Sequence, residues 1–193
     1  MLTLSHEPPE NPNGQPLPIR RTPAKGSLTA TVTADKLLGT NTHFWGGRTT
    51  PCTQPTCEAC DAGTTWRWHA YVSAIEFLTS THFLFECTAA AAHEFVHFAH
   101  ERGTLRGCTF RATRCNTRIN ARVIIETHLY TGKPTDLPPE PNLVLALARL
   151  WNIPANQITT PEAKEIQQAI SVLDAQIAAK RHFLTPQPNG PRP

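Results

Sequence analysis

The sequence predicts a mixed α+β domain, mainly β, built on a five-stranded barrel. Three observations indicate this fold class. Several stretches alternate apolar and polar residues with the period of a half-buried strand, and a stretch between them has helical spacing. A group of His and Cys residues interrupts the strand pattern within a Gly- and Pro-rich segment. The length of 193 residues suits one domain with appendages.

Alternation defines each predicted strand. In the first, Leu28 and Val32 lie on one side and threonines on the other. A helix between the third and fourth strands has Ala92, Phe95, Val96 and Ala99 on one stripe, with Thr88 placed to cap it. The five strands cover residues 27–36, 66–75, 82–87, 105–115 and 119–128, and the helix covers 88–102.

Three strands, a helix and two more strands make up the element order of an OB-fold. The predicted OB-fold domain spans residues 27–131, with a metal-binding insertion at 43–62 between its first and second strands. A mixed α+β sheet with the same element order is the competing interpretation.

The regions outside this domain are rich in proline. Residues 1–26 contain six prolines and few apolar residues, so we expect disorder there. Residues 132–183 combine a Pro-rich connector with two amphipathic helices, at 142–151 and from Thr160 to about His182. Their apolar faces are expected to pack on the barrel or to mediate self-association. Residues 184–193 are expected to form a disordered tail.

The sequence predicts a cytoplasmic protein that does not enter a membrane. No charged start followed by an apolar stretch resembles a secretory signal, and no segment is long and apolar enough to span a bilayer. The clustered cysteines then favour reduced, metal-binding thiols over disulfides. The three cysteines outside the cluster, Cys87, Cys108 and Cys115, are expected to be small buried hydrophobes.

The His and Cys cluster predicts one structural zinc ion. Zinc favours four tetrahedral nitrogen and sulfur ligands, and the Cys57-x2-Cys60 spacing lets two thiolates reach one ion from a tight turn. His43 and Cys52 complete the set. His69 is the alternative fourth ligand.

The arginines are unevenly distributed although the net charge is only +3. Residues 102–122 contain six arginines and no carboxylate, which is typical of a phosphate-binding face. Guanidinium groups bind phosphate in two-pronged fashion and stack on bases. The predicted phosphate contacts are Arg106, Arg111, Arg114, Arg118 and Arg122, of which Arg118 and Arg122 share the polar face of the last strand.

Aromatic and cationic residues also interleave on both sides of the metal cluster. Single-stranded nucleic acids are held by a basic groove and by rings on which bases stack. The predicted contacts are Trp45, Arg48, Trp66, Arg67, Trp68 and Tyr71. Alternation places Trp66 and Trp68 on the face opposite Arg67 and Tyr71, so one set faces the barrel interior.

A rival function comes from His93-Glu94-Phe95-Val96-His97, an HExxH sequence on the predicted helix. Zinc peptidases need a third ligand, and the extended motif fails because Gly103 stands where its third His would be. A protein-binding zinc ribbon is a further alternative. The primary expectation is a non-catalytic protein that binds single-stranded DNA, or RNA, in replication, recombination or repair.

The ligand order His43, Cys52, Cys57-x2-Cys60, together with the barrel element order, resembles the single-stranded-DNA-binding proteins of T-even phages. These are OB-fold proteins with a zinc bound by one His and three Cys. The resemblance covers residues 27–130 and implies the same fold, metal and ligand class. The gaps between ligands are shorter here, and the chain ends in PQPNGPRP where such proteins have an acidic tail.

Overall fold

The computed structural model describes residues 17–118 and 121–160. The chain divides into two compact units, Met1–Ala155 and Asn156–Pro193, and almost everything described belongs to the first. The fold is mixed α+β and mainly strand, as predicted. The strands are β1 (Ile19–Arg20), β2 (Ser27–Val32), β3 (Leu38–Trp45), β4 (Arg48–Pro51), β5 (Arg67–Glu76), β6 (Thr81–Thr88), β7 (Cys108–Arg114) and β8 (Val123–Leu129). The helices are α1 (Glu58–Asp61), α2 (Ala89–Arg102) and α3 (Leu143–Trp151), with 3-10 turns at Pro134–Asp136 and Ala155–Gln157.

The five predicted strands correspond to β2, β5, β6, β7 and β8, and α2 lies between β6 and β7 as expected. These strands are adjacent in the order β8-β7-β2-β5-β6, all antiparallel. The sheet is not closed into a barrel within the described residues. The outer edge of β6 pairs instead with β1, in parallel, through Ile19↔Leu84 and Arg20↔Phe85. The expected five-stranded sheet therefore has eight strands and open ends.

The prediction of disorder over residues 1–26 is wrong for its last ten residues. Besides β1, two ion pairs hold this segment to the sheet. Arg20 Nη1 is 2.6 Å from a Glu76 carboxylate oxygen, and Arg21 donates to both oxygens of Glu86 at 2.7 and 3.1 Å. Paired, two-pronged contacts of this kind repay the ordering entropy that the composition alone does not. Residues 1–16 lie outside the described residues.

The segment between the first two predicted strands is more regular than a loop. It contains β3, β4 and α1, and β3 pairs with β5 from Leu38↔Tyr71 to Thr42↔Arg67. β2 pairs with the same edge of β5 further along, at Thr31↔Ile75 and Val32↔Ala74. β2 and β3 thus pair with successive parts of the same edge of β5. The first predicted strand, expected to reach Lys36, ends at Val32, where β2 and β5 pair.

The core lies between the sheet and α2. Phe85, Phe95 and Phe110 form a mutually contacting triad, with ring centroids 4.8–6.2 Å apart. Phe95 on α2 is fully buried, as its predicted stripe requires. Val96 was predicted on the same stripe but is 51% exposed, because Ala91, Ala92, Phe95 and Phe98 form the buried face. Gly103 ends α2 in a left-handed conformation, as expected.

The first C-terminal helix also forms. Asn142 caps α3 by accepting a hydrogen bond from the Leu145 N–H at 3.0 Å. The ring of Trp151 packs edge-on against Tyr71 of β5, with centroids 5.4 Å apart. The second predicted helix and the tail at 184–193 fall on residues 161–193, outside the described residues. Within residues 17–118 and 121–160, no helix combines the length and apolar character needed to cross a bilayer.

We expect Phe95→Ala to lower the free energy of unfolding by about 3–5 kcal/mol, because it removes the central ring of the triad and leaves a cavity. Val96→Ala, next to it but half-exposed, should change that free energy by no more than about 0.5 kcal/mol. Urea unfolding followed by circular dichroism measures both. Equal losses for the two variants would contradict the buried position of Phe95.

Candidate metal centre

The four predicted ligand residues converge. One ligand atom from each of His43, Cys52, Cys57 and Cys60 lies within 4.8 Å of each of the others. The Cys52 and Cys60 sulfurs are 3.5 Å apart, and His43 Nε2 is 3.3 Å from the Cys60 sulfur. In a tetrahedron with Zn–S bonds of 2.3 Å the sulfurs stand about 3.8 Å apart. The cluster therefore has the dimensions and the donor set of a structural zinc site.

The surroundings of His43 fit a metal ligand. Its ring is buried at 1% exposure, and Nδ1 has no hydrogen-bond partner among the described residues. Nε2 is directed at the thiols, so a cation bound by those thiols would also be within reach of its lone pair, while Nδ1 would keep no partner among the described residues. These residues would hold a zinc ion with Nε2 of His43 and three thiolates, which is a closed site with no open position for a reacting water.

The local sequence builds this geometry from two pieces. β3 and β4 form a hairpin whose two-residue turn is Gly46-Gly47, with φ of +58° and +79°. Turns of this type need positive φ at both positions, which glycine adopts without strain. The hairpin brings His43 near Cys52, which follows β4 and donates its backbone N–H to the Asn41 carbonyl at 2.8 Å. Cys57 and Cys60 come from the start and the body of α1.

The pKa values of two of the clustered thiols are shifted in opposite directions. Backbone N–H groups of Thr53 and Cys60 hydrogen-bond to the Cys57 sulfur and lower its pKa to about 6. The hydrogen bond with the Cys52 sulfur raises the pKa of Cys60 to about 11. Cys57 thus ionises more readily than Cys60. A bound dication would deprotonate both of them as coordinating thiols.

The geometry decides between the two candidate histidines. His69 is on β5, where its Nδ1 is 2.6 Å from the Thr42 hydroxyl oxygen, and it is not a member of the cluster. Burial lowers the pKa of His69, which favours a neutral, hydrogen-bonded ring. His43, and not His69, is therefore the histidine that lies together with the three cysteines.

The three cysteines outside the cluster differ in exposure. Cys87 and Cys108 are buried as predicted, and burial raises the pKa of each to about 12. Cys115 is exposed in the turn after β7, which contradicts its predicted burial. All six cysteines are free thiols.

Four of the predicted aromatic and basic contacts lie exposed around the metal cluster. Trp45 and Arg48 flank the hairpin turn and are register partners. Trp66, 53% exposed, comes just before β5, and Arg67 is exposed at its first position. Neither Arg48 nor Arg67 makes an ion pair within the described part of the chain.

The sequence analysis missed Phe44, which is 72% exposed beside Trp45. Two large rings in succession on one strand point to opposite faces, so at least one must leave the core unless both faces are covered. The pair of successive rings was therefore a sequence signal that one of them is exposed. It could not be interpreted before the hairpin was known.

Two predicted contacts are not available at the surface. Tyr71 is 1% exposed beneath Trp151, so it is not a stacking platform. Trp68 is half-buried, with its ring against Gly39 on the neighbouring strand, where an added Cβ would be 1.8 Å from the ring. Trp68 thus covers the backbone of β3 at Gly39.

The predicted arginine stripe does not form one surface. Arg106 donates to the carbonyls of Thr33, Leu137 and Pro138 at 2.5–2.9 Å and fastens the connector to the sheet. Arg114 donates to the Thr22 carbonyl at 3.2 Å. Both arginines therefore hydrogen-bond to backbone carbonyls of other segments and stabilise the fold.

The other three arginines are exposed. Arg111 lies opposite Glu126 in the β7–β8 ladder. Arg118 and Arg122 were predicted to share a strand face, but β8 begins at Val123, so both precede it in the turn. The pairing continues one residue beyond Arg114, where Cys115 donates its N–H to the Arg122 carbonyl at 3.0 Å.

The HExxH residues show no metal-binding arrangement. His93, Glu94 and His97 are exposed on the outer side of α2, and the nearest partner of His97 is Glu101, 3.8 Å away. Among the described residues, the single group of three or more His, Cys or carboxylate ligands close enough to hold a metal ion is the one at His43.

Comparison with protein-family models, with curated proteins and with solved structures finds no match for this chain.

We expect the purified protein to contain one zinc per chain by elemental analysis. Cys57→Ser/Cys60→Ser and His43→Ala should lose it, because each removes a ligand of a closed site. Cys115→Ser, His69→Ala and His93→Ala/His97→Ala are matched controls that should retain it. Loss of zinc in His93→Ala/His97→Ala together with retention in Cys57→Ser/Cys60→Ser would contradict the assignment.

Proposed function

We propose that this protein binds single-stranded nucleic acid, DNA in the first place, through the zinc-supported β3–β4 hairpin and the adjoining start of β5. The observation that carries the proposal is the group of exposed rings and guanidinium groups around the ligand cluster, where the guanidinium groups make no ion pair with residues 17–118 or 121–160: Phe44, Trp45, Arg48, Trp66 and Arg67. Bases stack on exposed rings, and arginines follow the phosphates.

Zinc acts in this proposal as a folding element and takes no part in a reaction. Between β4 and β5 the buried apolar residues are Cys57 and Ala59. Two small side chains bury too little surface to offset the ordering entropy of a segment that also contains two glycines and two prolines, Gly46, Gly47, Pro51 and Pro55. Binding of a metal to four protein ligands supplies folding free energy that such a segment lacks. The ion keeps Trp45 and Arg48 in a fixed position relative to Arg67.

The strand order β8-β7-β2-β5-β6, with a helix between β6 and β7, supports an OB-type interpretation of the sheet. In that fold, oligonucleotides bind near strands two and three and the loop after strand one. Here that loop contains the β3–β4 hairpin and α1, which together with the first residue of β5 form the hairpin module. Elsewhere on β5, Trp151 of α3 covers Tyr71. The proposal therefore assigns binding to the module and not to the sheet face under α3.

The proposal extends to setting and partners. Three thiolates in one cluster require a reducing compartment, which favours an intracellular protein. Single-stranded DNA is exposed during replication, recombination and repair, which are the processes in which we propose that it acts. Self-association through the amphipathic segment after Thr160 remains part of the proposal.

We expect a fluorescence-labelled single-stranded oligonucleotide to bind with an affinity that falls as salt rises. Each phosphate contact contributes about −0.7 to the slope of log K against log salt for single strands, so Arg48→Ala/Arg67→Ala should reduce the slope by about 1.4. Affinity should fall by about fivefold or more. Fluorescence anisotropy at four salt concentrations measures both.

Arg102→Ala/Arg111→Ala is the control of equal charge, since both arginines are exposed but outside the module. It should leave slope and affinity near those of the parent. Duplex DNA and RNA of the same sequence are titrated alongside. Absence of binding to every oligonucleotide, or equal losses in the two double variants, would reject the proposal.

A further inference from the structure

The β3–β4 hairpin has an uncovered ring on each of its two faces. Successive residues of a strand point to opposite faces, and residues paired across strands share a face. Phe44 pairs with Thr49 on one face, and Trp45 pairs with Arg48 on the other. The two rings are 72% and 39% exposed. A platform for one stacked base needs only one of these faces.

Each ring has a cationic neighbour on its own face. The Phe44 face also carries Arg67, which pairs with Thr42 across the β3–β5 ladder. The Trp45 face carries Arg48 directly opposite the ring. Residues 38–57 contain no carboxylate, and the acidic residues of the module are Glu58 and Asp61 of α1. Both faces therefore suit a phosphate backbone beside a stacked base.

The turn of the hairpin is free, and its strands are held from both sides. A Cβ built on Gly46 or Gly47 would meet no atom of the described residues within 4 Å, so the turn is not packed against them. His43 belongs to the metal cluster, and Thr49, opposite Phe44 and next to Arg48, accepts a hydrogen bond from Arg21 at 2.9 Å. Because Arg21 is itself held by the buried Glu86, the hairpin is braced against the main sheet.

We propose that the hairpin is a two-faced wedge that seats at the junction between duplex and single-stranded nucleic acid, with one diverging strand on each face. This inference rests on the proposed function and names the form of nucleic acid preferred. On one face Phe44 stacks on a base while Arg67 holds its phosphate. On the other, Trp45 and Arg48 do the same for the second strand.

The thickness of the hairpin selects this ligand. Packed sheets are spaced by about 10 Å, so one sheet with side chains on both faces is about that thick, whereas neighbouring bases on a strand are spaced by about 3.4 Å. A hairpin with a ring on both faces is too thick to enter a continuous stack. It fits where two strands have separated, which is the geometry of a fork. Ordinary single strands then use one face and leave the other ring without a base.

The test compares three labelled DNA ligands of equal nucleotide number: a single strand, a blunt duplex and a fork with two unpaired arms. A second fork carries 2-aminopurine at the first pair, where its fluorescence rises on unstacking. The parent protein should bind the fork about tenfold or more tightly than the single strand and should raise the fluorescence. Stacking on one further base supports a difference of this size.

Single-ring variants separate the two faces. Phe44→Ala and Trp45→Ala should each lose most of the fork preference, while each retains single-strand binding through the remaining ring. Phe44→Ala/Trp45→Ala should lose both. Phe77→Ala removes an exposed ring in the β5–β6 turn and is the matched control. Zinc content and melting temperature of each variant establish that the module is folded.

The outcomes are distinguishable from failure of the proposed function. Equal affinity for fork and single strand, or dependence on Trp45 with no effect of Phe44→Ala, would overturn the wedge and leave single-strand binding intact. Absence of binding to all three ligands would remove the proposed function itself. A fork preference that depends on both rings and is accompanied by 2-aminopurine unstacking supports the wedge.

Discussion

β5 is the strand on which both parts of the molecule depend. One of its edges pairs with β6 from His69 to Glu76, and the other pairs first with β3 and then with β2. The core and the hairpin that carries His43 are therefore extensions of a single hydrogen-bonded ladder. Because side chains alternate along a strand, burial of Val72 and Ala74 in the core also determines which face Trp68 occupies. Trp68 then covers the backbone of β3 at Gly39.

A buried ion pair links the N-terminal segment to this ladder. Glu86 has almost no exposed side-chain surface, and a buried carboxylate is stable only when it is paired and hydrogen-bonded. Arg21 meets both its oxygens and also reaches Thr49 on the hairpin. The hydrogen bond with Glu86, opposed by burial, raises the pKa of Arg21, so the guanidinium remains charged. One side chain thereby connects β1, β6 and β4.

The cluster at His43 and the wedge proposed for the hairpin are physically related. A projecting two-stranded ribbon is marginally stable in water by itself. Its base can be stabilised by a hydrophobic core, by a metal or by side-chain braces. This module has few buried apolar residues, but it has four convergent ligands and the Arg21 brace. The rings of Phe44 and Trp45 near the turn can then stay exposed on opposite faces, as contact with two strands requires.

Sequence reasoning succeeded where a feature depends on residues close together in the chain. The Cys57-x2-Cys60 spacing, the helix ended by Gly103 and the alternation of β5 are local, and each was found. The four-ligand set was found because three of its members lie within nine residues. Two successive rings, Phe44 and Trp45, were a local indication that one ring is exposed. The sequence alone could not show that this pair lies in a projecting hairpin.

The sequence by itself determined the mixed α+β class, the order of the main elements and the identity of the three clustered thiols, because propensity and spacing act over a few residues. Only the tertiary structure decided between His43 and His69, since both lie near the cluster in sequence but β5 directs His69 to Thr42. The tertiary structure also made Arg106 a brace, buried Tyr71 under Trp151 and left β6 paired with β1. Each outcome is a contact between residues more than 10 positions apart, and periodicity carries no information on such contacts.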